Sequence, residues 1–288
     1  MARPNHDAGT PAPAGGNHRA HRTASGPAWR TALTRVTPNR IILRGYPVDE
    51  MMGRISFGEA VYLLLVGEMP TPAIGRMMEA MLVATLDHGT TPPSTQAARN
   101  VATTGAPLRA SVAAGILAFG RYHGGDIENC MRFLEEGVSL ARCGMSYEEA
   151  AAQLVRRHRE THEPVPGFGH RIHTHDPRAA RLFQMALELE LDGAYLQMVR
   201  ATERVLNANR GPEEPRIPVN VDGAIAAVCG DIGLDPSVGN ALFIISRVPG
   251  LLAHAAEEKL TQPPLRRIDR EEAYYDGPAR RRLPETRK

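Results

Sequence analysis

Three breaks between helical stretches each place an ionisable side chain beside a glycine: Asp87-His88-Gly89, Gly169-His170-Arg171 and Asp222-Gly223. Two imidazoles and a carboxylate are the group types that move protons near neutrality, so their convergence would make an acid–base site. The densest break runs from Pro164-Val165-Pro166-Gly167-Phe168-Gly169-His170-Arg171 through His173 and His175 to Asp176-Pro177-Arg178. Its closely spaced prolines and glycines cannot continue a helix, and glycine lets a ligand come close to the main chain. A histidine just after such a turn is held on a stiff, exposed loop, where catalytic groups often sit. Asp176-Pro177 then reads as a helix start, with Asp at the N-cap and Pro at the first helical position. Taken singly, each of the three ionisable residues also fits a structural role, as a capping aspartate or a histidine bonded to a carbonyl.

The histidines invite a metal test. His170, His173 and His175 are close together, and His158 and His162 stand one helical turn apart. No cysteine lies near them, and Arg157 and Arg159 crowd the second pair with positive charge, so no metal site is expected. Gly167-Phe168-Gly169 follows neither the dinucleotide fingerprint nor the P-loop pattern, so nucleotide-fold readings fail. Main-chain N–H groups of this turn could still hold a ligand lying across them.

These groups need a frame, and helical patterns fill most of residues 56–258. Ser56-Phe57-Gly58-Glu59 is a capping box opening a helix that Gly67 closes. Thr71-Pro72 starts the next, which leads into Asp87-His88-Gly89. Residues 94–104 and 108–121 are expected helical, the second as a buried helix, and 127–137 resumes the pattern after His123-Gly124-Gly125. Ser146-Tyr147-Glu148-Glu149 is a second capping box, with an amphipathic helix to about Glu160. Residues 178–191 and 194–209 follow, Asn220-Val221-Asp222-Gly223 precedes an Ala/Val/Ile helix to Cys229, and Asp235-Pro236 caps a last long helix through His254. Residues 39–46 read as extended or turn-like. Period-two alternation is almost absent, which predicts an all-α protein, and no repeat of 20–50 residues is present.

At 288 residues the chain is long enough for one large domain or two unequal ones. Residues 1–28 read as a disordered tail, 29–278 as the folded part and 279–288 as a basic C-terminal tail. No run of about 18 apolar residues suggests a membrane span, and the N-terminus lacks the apolar segment of a signal peptide. Cys130, Cys143 and Cys229 form no CxxC, which favours reduced thiols in a cytoplasmic protein, each a small buried hydrophobe. Residues 1–40 carry +5 and residues 266–288 carry +3, so with a total of +2 the body between them is −6. An acidic body argues against nucleic-acid binding.

Taken together, the motifs resemble the citrate synthase superfamily, most of all citryl-CoA lyases and the citryl-CoA lyase module of ATP-citrate lyase. The resemblance spans roughly residues 39–278. It is carried by Arg44-Gly45-Tyr46, Ser56 to Glu59, Leu65 to Thr71, Asp87-His88-Gly89, His123-Gly124-Gly125, Pro166 to Arg171, Asp176-Pro177-Arg178, Asn220 to Gly223, Arg247 and Leu252-Ala253-His254, in the family's order. It implies a large and a small helical domain, the small one at roughly residues 165–255, in a homodimer with a shared active site. It also implies a catalytic triad of His88, His170 and Asp222. In the synthase direction the aspartate takes a proton from the methyl of acetyl-CoA, the first histidine stabilises the enolate, and the second polarises the oxaloacetate carbonyl. Arg178 and Arg247 would hold the dicarboxylate, with Arg270, or Arg267 in its place, given by the neighbouring subunit. The CoA adenine would lie across Pro166, Gly167, Phe168 and Gly169, and no cofactor beyond the CoA thioester substrate is implied.

This chain also departs from the full-length synthases. Only 17 residues separate Thr71 from His88, so it is a short form lacking the long helical insert and, with it, a histidine that contacts oxaloacetate. Gly89 stands where synthases have Glu, Gly223 where they have an aromatic or Ala, and their basic residue near the CoA phosphates is replaced around His173-Thr174-His175. The expected reaction is cleavage of citryl-CoA to acetyl-CoA and oxaloacetate, without membrane or nucleic-acid partners. The alternatives are a short citrate synthase, a relative using another keto acid or longer acyl-CoA, and a non-catalytic subunit or sensor.

Overall fold

Local signals placed the first helices. In the structure, a computed structural model, residues 29–120, 123–124, 126–170, 173–211 and 213–283 are described. The tail expected at residues 1–28, the last five residues, Arg171 and Gly125 lie outside them.

Two capping boxes form as the sequence predicts. Ser56 and Glu59 exchange side-chain-to-backbone hydrogen bonds at the start of α2 (Phe57–Val66), and Ser146 and Glu149 do the same at α7 (Tyr147–Glu160). Gly67 ends α2 at φ 99°, a conformation that penalises any Cβ. α3 (Pro72–Ala84) starts on the Thr71 cap with Pro at its first position and runs straight toward His88. The remaining helices are α4 (Pro93–Ala102), α5 (Leu108–Leu117), α6 (Asp126–Arg142), α8 (Pro177–Glu188), α9 (Ala194–Asn207), α10 (Val221–Asp231) and α11 (Gly239–Thr261), after a one-turn α1 (Val48–Met51). Asp235 caps a 3-10 turn, Pro236–Val238, rather than α11 itself.

Before α1 stands a small antiparallel sheet, β1 (Thr34–Thr37), β2 (Arg40–Leu43) and β3 (Tyr46–Pro47), with Thr34 opposite Leu43. β1 is wholly exposed, so it has no buried face to impose the alternation by which a strand is read. A second difference concerns α5. It ends at Leu117, buries only Ser111 and Gly115, and leaves Leu117 85% exposed, so it is not the buried helix its Ala-rich sequence predicts. Its small residues serve close approach instead: a Cβ on Gly115 would lie 3.0 Å from the Ser94 carbonyl of α4 and 2.9 Å from Leu251 of α11. Cys143, expected inside, is exposed just past the end of α6, whereas Cys130 and Cys229 are buried.

One continuous apolar core runs from Val61 of α2 to Phe243 of α11, with Leu134, Leu154, Met198 and Ile225 wholly enclosed. α10 is its axis. Every residue from Val221 to Cys229 except Asp222 is buried, and the helix packs against α6, α8 and α9. Each large side chain so enclosed is worth about 1.5–3 kcal/mol, which holds the N-terminus of α10, and Asp222 with it, in place. α11 packs across α3, α4, α5 and α6. With the preceding turn it is the one described segment long and apolar enough to cross a membrane, with a mean hydropathy of 1.3. Its buried Ser246, Arg247 and Glu258 are bonded to groups on neighbouring elements, the pattern of a core helix.

Candidate active site

The glycine-rich stretch is laced to the start of α10. Asn220 caps that helix by accepting the Gly223 N–H at 3.0 Å, and its amide donates to the Gly169 carbonyl at 3.0 Å. Its backbone N–H donates to the Gly167 carbonyl at 3.1 Å, while Gly169 N–H donates to the Pro218 carbonyl at 2.8 Å. Gly167 N–H is taken by the Asp126 carboxylate at 2.8 Å. Both glycine N–H groups expected to cradle a ligand are therefore used within the fold. The Phe168 N–H and C=O are the pair on this shelf left without a hydrogen bond among the described residues.

Gly167 and Gly223 touch. Gly167 has φ 82°, and a Cβ on it would lie 2.7 Å from Gly223 Cα and collide with Cys130 Sγ. A Cβ on Gly223 would collide with the Gly167 carbonyl oxygen, which is backbone and cannot swing aside. Gly223→Ala is accordingly expected to cost about 1–3 kcal/mol by overpacking, read from the urea midpoint. An unchanged midpoint would contradict this packing.

Asp222 lies in the first turn of α10 with its Oδ1 buried and unpartnered. Burial pushes its pKa up to about 6, helped by the charges of Asp126 and Asp176 and opposed by Arg178 and Arg247. A carboxyl so placed exchanges its proton near neutral pH.

His170 sits half-buried at the end of the shelf. The His173 backbone N–H donates to its Nδ1 at 3.1 Å, so the neutral ring carries its proton on Nε2. Its ring lies edge-on to that of His88 with centroids 5.9 Å apart, and 4.4 Å from that of His173. Asp176 is more than the expected cap. Its side chain accepts the Arg178 N–H at 3.0 Å, forks with the Arg178 guanidinium at 3.0 and 2.9 Å, and takes the Val221 N–H at 3.1 Å, joining α8 to α10. Burial works against its ionised form, but the guanidinium and the two backbone donors hold its pKa below the ordinary value. Arg178 is thereby held at the mouth of the cluster. Behind it, a cavity of about 570 Å³ opens between the apolar faces of α3 and α8.

His88 stands on the loop after α3. Asp87 fixes that loop: its carboxylate takes the Gly89 N–H at 2.9 Å and bonds His254 of α11 at 3.1 Å. Gly250 on α11 lets the Leu86 carbonyl pass close against the helix. Burial and the positive fields of Arg178 and Arg247 lower the His88 pKa, so the ring is neutral at physiological pH. Burial, and then the charge of His173, lower that of His170 as well. Arg247 is 2% exposed. Its Nε donates to the Thr85 carbonyl at 2.8 Å, its guanidinium stacks 4.7 Å over the Phe243 ring, and its Nη1 has no partner. A buried cation with an open donor is a site prepared for an anion. Arg178, Arg247 and Asp176 exert their charge on both His88 and Asp222, so the groups from three distant breaks share one neighbourhood.

Residues 70–270 match the family described as citrate synthase, C-terminal domain. The chain belongs to the citrate synthase family. It is 42% identical to the citryl-CoA lyase of Hydrogenobacter thermophilus, with a TM-score of 0.82 over 90% of this chain and 98% of that one. Citrate synthase 2 of Bacillus subtilis is 32% identical over 225 residues, 76% of this chain but 55% of that protein. This chain spans about half the length of the curated relatives it matches. An ATP citrate lyase from Methanosaeta concilii shares the fold at 21% identity, with a TM-score of 0.74 over 89% of this chain and 43% of that one. The expected all-α, citrate synthase-like fold in its short form is thus borne out, with the small sheet added to it.

Within this family member the structure adds groups the sequence reading left without a role. His123 bonds Ser94 Oγ at 2.8 Å, packs beside Phe119 and Phe243, and has its pKa lowered by burial and by the charges of Arg247 and His88. Its place after a helix break and before Gly124 was the available signal. Arg267 and Arg270 are exposed, on the C-terminal arm that follows α11. The arm is pinned at its root, where the buried Glu258 carboxylate binds Arg266 at 2.5 and 2.6 Å and Arg99 at 2.6 Å. Among the described residues no group of three metal-ligating side chains converges, and His158 packs instead on Phe133.

Proposed function

We propose that this chain is a CoA-thioester carbon–carbon lyase that cleaves citryl-CoA to acetyl-CoA and oxaloacetate. The observation that carries the reading is a buried carboxyl with its pKa raised to about 6, which shares the charges of Arg178, Arg247 and Asp176 with His88, and a buried arginine whose Nη1 has no partner. The 42% identity and TM-score of 0.82 to a citryl-CoA lyase favour the lyase over a synthase.

His170 takes the C3 hydroxyl proton of citryl-CoA. The C2–C3 bond breaks, leaving C3 as the oxaloacetate carbonyl and its electron pair in the thioester enolate. Neutral His88 donates a hydrogen bond to the enolate oxygen, where charge develops. Protonated Asp222 delivers its proton to C2, giving the methyl of acetyl-CoA and an ionised aspartate. Condensation runs the steps in reverse. Taking the hydroxyl proton at Nε2 needs the His170 tautomer with its proton on Nδ1, in which the bond from His173 N–H is lost, and leaves the ring protonated. Condensation starts from that imidazolium, whose Nε2–H polarises the keto oxygen and is then given to it. Arg178, through the donors its fork with Asp176 leaves over, and Arg247, through its open Nη1, bind the dicarboxylate, and Arg270 or Arg267 of a second copy completes the grip in a homodimer. The CoA adenine lies on the Phe168 main chain.

Thiol release separates the two enzyme readings. Acetyl-CoA with oxaloacetate should form citryl-CoA without steady release of free CoA. Continuous thiol release at a catalytic rate would make the chain a short citrate synthase, the reading favoured by its curated relatives.

A further inference from the structure

Asp126 is the first residue of α6 and has no part in the mechanism above. Its Oδ2 accepts the Gly167 N–H at 2.8 Å, and the Gly167 carbonyl accepts the Asn220 N–H at 3.1 Å. The positive φ of Gly167 turns that N–H toward α6, while the contact with Gly223 presses the peptide against the residue next to Asp222. A carboxylate is therefore linked to the start of α10 through Gly167, which touches Gly223 beside Asp222. The charged groups acting on Asp222 are Asp126 from α6, Asp176 and Arg178 from α8, and Arg247 from α11, with Cys130 of α6 buried beneath Gly167.

We infer that Asp126 is a positioning residue for Asp222, acting through the Gly167 peptide that it straps to α6 and through its like charge. The inference rests on the proposed role of Asp222. The strap sets the height of the CoA shelf above α10. The charge makes Asp222 hold its proton more tightly, as the shift of that carboxyl shows: Asp126 is the largest contribution after burial. For a lyase this is the useful direction, because cleavage needs a protonated Asp222 near physiological pH.

Asp126→Asn keeps an acceptor for the Gly167 N–H and removes the charge, whereas Asp126→Glu keeps the charge and displaces the strap. Condensation of acetyl-CoA with oxaloacetate requires ionised Asp222, so its rate falls at low pH. In Asp126→Asn the acid limb of kcat/KM should move to lower pH by about one unit, roughly tenfold more relative activity well below the midpoint. The KM for acetyl-CoA should stay near wild type. In Asp126→Glu the limb should stay near its wild-type position and that KM should rise. NMR titration of the Asp222 carboxyl should show the same shift without relying on turnover. Should Asp126→Asn not fold, the Glu variant decides: an acid limb displaced like that expected for Asn, or an unchanged KM, overturns the inference. A superimposed Asp126→Asn profile with Asp222→Asn inactive would overturn the inference alone. An active Asp222→Asn would instead overturn the proposed function beneath it.

Discussion

Asp222→Asn is expected to abolish turnover in both directions while making the protein more stable at neutral pH. Loss of a positioned acid–base group costs roughly 10²–10⁴-fold in rate. The stability effect follows from the same burial. The folded state raises the Asp222 pKa from 3.8 to about 6, so it binds the proton more tightly than the unfolded chain does. That favourable contribution is complete below the unfolded value and is lost as pH rises through 3.8 toward about 6. Above it, the ionised carboxylate costs the fold roughly 2–3 kcal/mol. Asn removes the cost, so the variant should melt several degrees above the wild type at pH 8, with the gap closing by pH 4. The same titration sets opposite pH limits on the two directions. Condensation, which needs the carboxylate, should fail below about pH 6, and cleavage, which needs the acid, should weaken above it. Retained turnover, or a melting gap that does not vary with pH, would refute the assignment of Asp222.

Arg247→Met should produce the second large effect, on the keto acid rather than the thioester. Arg247 is buried with Nη1 unpartnered, so a bound dicarboxylate completes an ion pair shielded from water. Removing one partner of such a pair costs about 2–5 kcal/mol, so kcat/KM for oxaloacetate should fall by roughly 10²-fold or more, with KM for acetyl-CoA little changed. Lysine should not rescue it, because the stacking on Phe243 and the Nε bond to Thr85 both need a planar guanidinium. A ligand that binds only the folded state raises its melting temperature. Oxaloacetate should therefore stabilise the wild type and leave Arg247→Met unmoved. An equal oxaloacetate-induced shift in both proteins would show that the anion binds elsewhere.

Most helix positions were legible because their signals are local. The pairs Ser56 with Glu59 and Ser146 with Glu149 close within one helical turn, and Asp176-Pro177 marks the start of α8 without help from any other element. What escaped depends on contacts far along the chain. The β1–β2 hairpin buries too little to show a period, and the outward face of α5 looks the same in sequence as an inward one. The Gly167 and Gly169 N–H groups were read as ligand donors, but Asp126 and Pro218, 41 and 49 positions away, already use them. The contacts of His123 with Ser94 and Phe119, the strap made by Asp126 and the pairing role of Asp176 escaped for the same reason.

By itself the sequence determined which groups could act: a histidine at each of two helix breaks, an aspartate at a third, and a glycine-rich turn between them with arginines to follow. Residue identity and local spacing suffice for that, and the resemblance to the citrate synthase family rests on the same motifs. The tertiary structure decided what state those groups hold. Proton affinity is set by burial and by the charges that surround a group in space. Asp222 takes its burial from the helices around α10 and its field from Asp126, Asp176, Arg178 and Arg247, none of them its neighbour in the chain. No spacing rule encodes that sum, and it turns an ordinary capping-type aspartate into an acid that can work near neutral pH.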